Sequence, residues 1–483
     1  MEDNPMKRKI SLFLALTIAL LASSCGGGNQ PSDQTTAGDS QTEPVETTAA
    51  GPIASYLPDS DLGGFTLRVA TWQEKNGEYF TVAEADGDVV NDAVYDAVSR
   101  VKDKYNASIE PVFYAASYND VRNYVATTIQ AGDDAYDLVQ GHDCTMWQLS
   151  LEGMFADIRK LEYQDFTKPW WPEYSNDTYE VNGKQYIFSS YMSYQSLAWA
   201  KVLFMNKTIA DNYKLEIPYD LVRDGSWTLD KFISMTKDVY SDLDSDGTRS
   251  DGDLYGFLGY KKLYGWQSAF VSCYTEGSDG KISLGYDKEK FVDVVERMNS
   301  LLNGNEGGYI TGNEPDAKIF VDGRALFHYT ALETLTYDDM RASDIDYGVL
   351  PLPKYDEKQE NYITPSFDCQ FAIPTTANDL DKISLLIEAY SSAGYNITRE
   401  AYFETALSIK YTRDDDSVEM LGIISDTLAV DLAYLNTSAG INGLGRAFMY
   451  CFSNPDAGIA SYLDSIEPSE KTIIEKLNEF FEG

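Results

Sequence analysis

Between residues 65 and 140 the chain alternates two hydrophobic periods, and this alternation restricts the fold more than any other feature of the sequence. From Phe65, "FTLRVATW" places apolar and polar residues by turns, the period-2 signature of a strand. In "VVNDAVYDAVSRVKDKY", Val90, Ala93, Val94, Ala97, Val98 and Val101 recur at helical spacing on one face. "ASIEPVFY" then reads as a second strand, "YNDVRNYVATTIQAG" as a second helix and "YDLVQG" as a short buried strand. Strands separated by helices of this length need crossover connections, so the sheet is parallel and its ligand-facing loops gather at the carboxyl ends of the strands. Those ends hold Trp72, His142 and Asp143.

Further along, "TYEVNGKQYIFSSYM" is hairpin-like, with Asn182-Gly183 at its turn. "SLAWAKVLFMNKTI" reads as a strand, "SWTLDKFISMTKDVYSDLDSDG" as a capped helix running into an acidic loop, and about 287–303 as a helix. "VDGRALFHYTALETL" and "IDYGVLPLPKY" read as a strand, a helix and another strand, closed by Pro351 and Pro353. The remainder is mostly helical. With 483 residues, 43% of them hydrophobic, the chain has ample apolar surface for two lobes.

The amino-terminus speaks to location. Lys7, Arg8 and Lys9 precede the apolar run "ISLFLALTIALLAS", which ends at Cys25 and is followed by a Gly, Ser, Thr, Gln and Pro-rich stretch without hydrophobic periodicity. "LLASSC" resembles the lipobox of bacterial lipoproteins, with Ala22 where the common pattern has Leu. That resemblance implies removal of residues 1–24, lipidation of Cys25 and a tether over 25–60. The expected place is therefore the extracellular face of the cell membrane, reached through a lipid anchor only. A net charge of −39 argues against nucleic acid or an anionic membrane surface as a partner. With only His142 and His328, imidazole catalysis and His-clustered metal chemistry have little to work with. Cys144, Cys273, Cys369 and Cys451 form no CxxC pair and no zinc spacing, leaving buried thiols or three possible pairings.

"DLDSDGTRSDGD", residues 242–253, has the register of a calcium loop: Asp242, Asp244 and Asp246 at positions 1, 3 and 5, Gly247 at the sharp turn, Thr248 offering a carbonyl at position 7 and Asp253 a carboxylate at position 12. The usual final Glu is Asp here, one methylene shorter. The alternative is a solvated acidic turn. With no His, Cys or nucleophile beside it, a bound Ca²⁺ would be structural, pinning a helix end to "LYGF".

The segments "YEVNGKQYIFSS", "LFMNKTIA", "SWTLDKFISMTKDV", "DGDLYGF", "FVDGRALFHYT" and "DYGVLPLPK", in this order behind a lipobox, resemble the family 1 extracellular solute-binding proteins that feed carbohydrates to bacterial ABC importers. The resemblance spans about residues 65–410. It implies an α/β, two-lobed periplasmic-binding-protein type II fold, with discontinuous lobes and a hinge. Lobe 1 is expected over 61–195 plus about 320–348, and lobe 2 over about 196–319 plus 349–483, with crossings near Tyr194–Leu203 and Gly348–Tyr355. Binding would come from closure of the lobes on a solute. The implied partners are a carbohydrate ligand and the ABC permease subunits, for a monomeric chain that is not an enzyme.

Sugar rings stack CH faces on aromatic planes while their hydroxyls seek carboxylates and amides. Seven Trp and 35 Tyr supply the planes. The candidate ligand-binding residues are Trp72 and Glu74 after the first strand, Asp143 after the third, Tyr191 after the hairpin, Trp266 beyond the acidic loop, Glu333 after "FHYTALE", and Phe367 with Asp368 in "PSFDCQF". Each could instead be core or rim. His328 is expected to be buried in a strand and satisfied by backbone, and His142 to lie in either pocket or core. The same residue types would serve a glycoside hydrolase, which needs two carboxyl groups about 5 to 9.5 Å apart. The remaining alternatives are the solute receptor of a sensor or adhesin, and a peptide binder.

Overall fold

The computed structural model describes residues 51–483 except 73–76, 115–119, 261–263, 305–306, 312–316, 368, 409–414, 438–442, 455 and 483. The expected signal sequence, Cys25 and most of the expected 25–60 tether therefore lie outside the described residues, as do Glu74 and Asp368.

The first part of the chain runs β1 (Phe65–Thr71), α1 (Val89–Tyr105), β2 (Ala107–Phe113), α2 (Val121–Ala131), β3 (Leu138–His142), α3 (Asp143–Leu151) and α4 (Glu173–Tyr179). Asp88 caps α1 by accepting from the amides of Val90 and Asn91, and Asn106 ends it in the left-handed region at φ 48°. Val90, Ala93, Val94, Ala97, Val101 and Tyr105 are buried, so the expected apolar stripe is the packed face. The middle part runs β4 (Lys201–Asn206), β5 (Tyr255–Tyr260), α5 (Tyr264–Phe270), the hairpin β6 (Tyr274–Glu276) and β7 (Ile282–Leu284), α6 (Lys288–Asn303), β8 (Gly308–Thr311), β9 (Ala325–Ala331) and β10 (Tyr347–Leu350). The chain returns through β11 (Thr364–Pro365), β12 (Cys369–Ala372) and α7 (Leu380–Ala393), then β13 (Leu428–Ala429) and finally α8 (Ile459–Glu482).

Two main sheets result. One has the order β12-β3-β1-β2 and the other β10-β4-β9-β5-β8. β1 is parallel to β2 and β3, while β12 runs antiparallel to β3. In the second sheet β5 is parallel to β8 and β9, and β4 runs antiparallel to β9 and β10. Each sheet thus carries one antiparallel strand supplied by the segment that has just crossed from the other lobe.

This pairing corrects the expected lobe boundaries. Residues 320–348 were expected in the first lobe, but β9 pairs with β4 and β5 in the second sheet. Conversely β12, expected in the second lobe, pairs with β3 in the first. Tyr347–Leu350 is an edge strand of the second sheet and not a crossing. The return crossing lies at Ser366, which bridges Ala200 on the outgoing strand just before β12 begins. The hairpin "TYEVNGKQYIFSSYM" shrinks to a single Val181–Lys184 bridge about Asn182 and Gly183, both at positive φ (51° and 71°), because α4 takes its first residues. The helix expected after "FHYT" is a 3₁₀ turn, Leu332–Thr336, and a short helix, Asp338–Ala342.

The chain packs earlier than expected, too. Ala54 and Leu57 are buried, the Ala54 amide donates to Ser392 Oγ at 3.1 Å, and the Tyr56 hydroxyl donates to Glu388. Trp170 and Trp171 donate their indole N–H groups to the two oxygens of the same carboxyl, at 2.7 and 3.1 Å.

Two large apolar clusters hold the fold, and both contain residues of both sheets. Leu203 and Met205 of β4 belong to one with Val139 and Ala70, and Val202 and Phe204 to the other with Val69 and Leu138. Successive side chains of a strand point to opposite faces, so each sheet is covered on both sides.

Candidate functional site

In a doubly covered α/β sheet the crevice beyond the carboxyl ends of the parallel strands is where a ligand meets backbone amides and loop side chains. Asp143 stands there as the first residue of α3, held by the β3 strand end. Its carboxyl is fully buried. One oxygen accepts the Cys144 amide at 2.6 Å and lies 2.8 Å from Nδ1 of His142, while Oδ2 has no hydrogen-bond partner among the described residues. An acceptor removed from water without a donor is costly, so a ligand hydroxyl or amine arriving there would be strongly favoured. His142 is about a quarter exposed, on the same rim.

Phe367 sits next to the Ser366–Ala200 hinge bridge and packs edge-on against Tyr434, ring centroids 4.5 Å apart. Buried Cys144 belongs to the same small cluster, and its Sγ donates to the Tyr434 carbonyl at 3.4 Å. Burial, with Asp143 nearby, pushes the Cys144 thiol well up, so it stays protonated. The Arg446 guanidinium lies 5.4 Å from the Tyr434 ring. From the second lobe, Gly265 near the start of α5 admits no side chain: a Cβ would come 2.3 Å from Tyr329 Oη, 3.4 Å from Lys201 Cγ and 3.5 Å from Phe367. The bare backbone at that residue lets strand, hinge and helix meet at one point. Beneath, Thr71 donates to Gln140 (2.8 Å) and Gln140 to Gln195 (2.9 Å), a buried polar ladder that fixes the β1 and β3 ends.

The sequence candidates divide. Asp143 precedes Cys144, which packs in one small cluster with Phe367 and Tyr434, and Trp72, 6% exposed, follows the end of β1. Glu333 lies after β9 and accepts from the Tyr79 hydroxyl at 2.5 Å, while Tyr79 accepts from the Trp199 indole at 3.3 Å. This links the loop after β1 to the second lobe. Trp266, in contrast, is wholly buried among Phe232, Phe257, Phe270 and Tyr329, with centroids 5.1 to 5.8 Å away, so it is a core ring and no ligand platform. Tyr191 is also internal: its hydroxyl meets Ser425 Oγ at 2.6 Å and its ring meets Tyr395. Lys201, Tyr329, Tyr434 and Arg446 were not candidates, because no local pattern marks residues that join the site from distant segments. His328 is buried with neither ring nitrogen hydrogen-bonded among the described residues, contrary to the expected backbone partner, and burial lowers its pKa to about 3. Cys144, Cys273 and Cys451 are free and buried.

At the acidic loop, Asp242, Asp244 and Asp253 each offer an oxygen within 4.8 Å of the others. Asp242 Oδ1 is buried without a hydrogen-bond partner among the described residues. Gly247 turns at φ 75° and donates to Asp242 Oδ2 at 2.9 Å, and Ser241 and Leu254 close the loop with two backbone hydrogen bonds of 3.1 and 3.0 Å. Asp253 is fully buried, accepting from the amides of Leu243 and Ser250. Against the opposing Asp246 amide, desolvation and the neighbouring carboxylates hold the Asp244 carboxyl above its usual range. Asp246 and Thr248 stand outside this trio, the Asp246 carboxyl accepting the Thr248 amide at 2.6 Å. An orphaned buried oxygen among three carboxylates suits a hard cation such as Ca²⁺.

No protein-family model matches the sequence, and a search of curated proteins finds no relative. Solved structures do match. A sugar transporter protein of Rhizobium etli in an open conformation shares 15% identity, with TM-score 0.53, over 87% of this chain and 100% of that one. The maltose/maltodextrin-binding domain of Bdellovibrio bacteriovorus bound to maltotriose shares 9%, with TM-score 0.51, over 86% and 98%. An ABC substrate-binding protein of Listeria monocytogenes in complex with cycloalternan shares 14%, with TM-score 0.51, over 86% and 99%. The chain therefore has the α/β periplasmic-binding-protein fold of these ABC-transporter solute-binding proteins.

Proposed function

We propose that this chain is an extracellular solute-binding protein that captures a mono- or oligosaccharide between its lobes and delivers it to the permease of an ABC importer. The observation that carries this reading is the buried Asp143 carboxyl, one oxygen of which lacks a hydrogen-bond partner among the described residues, next in sequence to Cys144, which packs with the Phe367 and Tyr434 rings at the hinge. A carboxylate acceptor next to aromatic edges suits a polyhydroxylated, uncharged guest. The similar structures with maltotriose and cycloalternan show that the same fold accommodates oligosaccharides in those proteins. The protein works as a monomer on the outer face of the cell membrane, held there by a lipid on Cys25. It captures its solute without chemistry. Ca²⁺ occupies the Asp242, Asp244 and Asp253 trio as a structural ion, supported by the unpartnered Asp242 oxygen.

Calorimetry with a panel of sugars tests the reading. At least one carbohydrate should bind saturably, and Asp143→Asn should weaken it at least tenfold, about 1.4 kcal/mol, with an unchanged melting temperature. Binding of peptides and of no carbohydrate would overturn it.

A further inference from the structure

Helix α8 is bolted to the second lobe and reaches the first. Its Asn478 side chain donates to the Ile282 carbonyl and accepts the Ile282 amide, at 2.9 and 2.8 Å, so the helix adds itself to the free side of β7. Lys281 pairs with Glu482 at 2.6 Å. One turn on from Asn478, Phe480 and Phe481 leave this anchorage and enter the first lobe. The Phe481 ring stacks on Trp147 of α3 at 5.9 Å, and both phenylalanines pack on Tyr186, at 5.5 and 5.9 Å. Phe481 and Trp147 are buried to 99% or more, and Asn182 Nδ2 donates to the Phe481 carbonyl at 3.0 Å. The Asn182 amide, in turn, donates to Glu276 of β6 at 3.1 Å.

A cavity of about 570 Å³ lies between α4 with its following turn on one side and β6 with the end of α5 on the other. Asp177 and Glu180 line it from the first lobe and Glu276 and Glu360 from the second, with Asp431 also in the wall and Lys290 the one basic residue of the lining among the described residues. Glu180 is paired with Arg159 at 2.7 Å, yet burial and the Glu173 and Glu180 charges still raise the Asp177 carboxyl. Carboxylates on both walls of one cavity repel across it.

We propose that the carboxyl-terminal end of α8 is an interlobe latch: the Phe480–Phe481 pair, seated on Trp147 and Tyr186, holds the lobes together without solute, against the repulsion of the acidic cavity. Separating the lobes on this side would bring two phenylalanines and an indole into water. Closed protein is therefore populated before the solute arrives, and the solute needs to supply less of the cost of closing.

The ligand-free full-length chain decides the matter, so the outcome does not depend on the sugar. Small-angle scattering and hydrogen exchange are compared for the wild type, Phe481→Ala and Tyr186→Ala, which removes the same contact from the half-buried first-lobe side. Both variants should show a larger radius of gyration and roughly tenfold faster exchange across residues 143–151 and 180–186. Added salt, which screens the cavity charges, should reduce that expansion. Should Phe481→Ala fail to fold, Tyr186→Ala carries the test alone. Wild-type dimensions and exchange in a folded Tyr186→Ala chain would overturn the latch.

Discussion

Trp266 and Asp143 show how differently two candidate residues can fare once packing is known. Both are fully buried, yet α5 turns the indole among four rings while the Asp143 carboxyl, at the carboxyl end of β3, keeps one oxygen without a hydrogen-bond partner among the described residues. Trp266→Ala should accordingly cost stability, about 3–5 kcal/mol in denaturant unfolding, as expected for deleting a buried aromatic. A loss of sugar affinity at unchanged stability would contradict this placement. The place of Asp143 at a strand end was legible, because the alternation of strand and helix periods puts it there. Tyr434 and Arg446 were not, since nothing within about ten residues of either shows that they pack beside Cys144 and Phe367.

Among elements, those whose interactions are local were readable from the sequence. The α1 stripe, the Asn182-Gly183 turn and the spacing of the acidic loop all depend on residues a few positions apart. Strand partnership does not. β9 and β12 are buried on both faces or bounded by other strands, so their hydrophobic runs state that they are internal without stating in which sheet. The acidic loop makes its own prediction. Ca²⁺ at ~100 times its Kd should stabilise the fold by about 2.7 kcal/mol, chelation should remove this, and Asp242→Asn should abolish the response. Thermal shift with and without chelator measures it, and identical melting curves would leave the loop a solvated turn.

For the whole molecule, buried ionisable groups set opposing pH limits. The folded pKa of His328, lowered by burial to about 3, lies below its unfolded value near 6.5, so its share of stability is intact above pH 6.5 and is lost as pH falls toward 3. Glu388, raised by burial to about 7, and Asp431, raised by burial to about 6, act in reverse. Their shares are intact below about pH 4 and are lost as pH rises through 6 and 7. Unfolding free energy against pH should therefore crest in the mildly acidic range. His328→Leu should flatten the acid side and Glu388→Gln the neutral side, and parallel curves for all three proteins would show that other groups govern the profile.

Because alternate residues of β4 belong to two apolar clusters that each draw on both sheets, the halves of this chain are joined by shared apolar packing as well as by the crossing strands. Severed at the Ala200 and Ser366 crossings, the pieces would each bare an oily flank fit for aggregation.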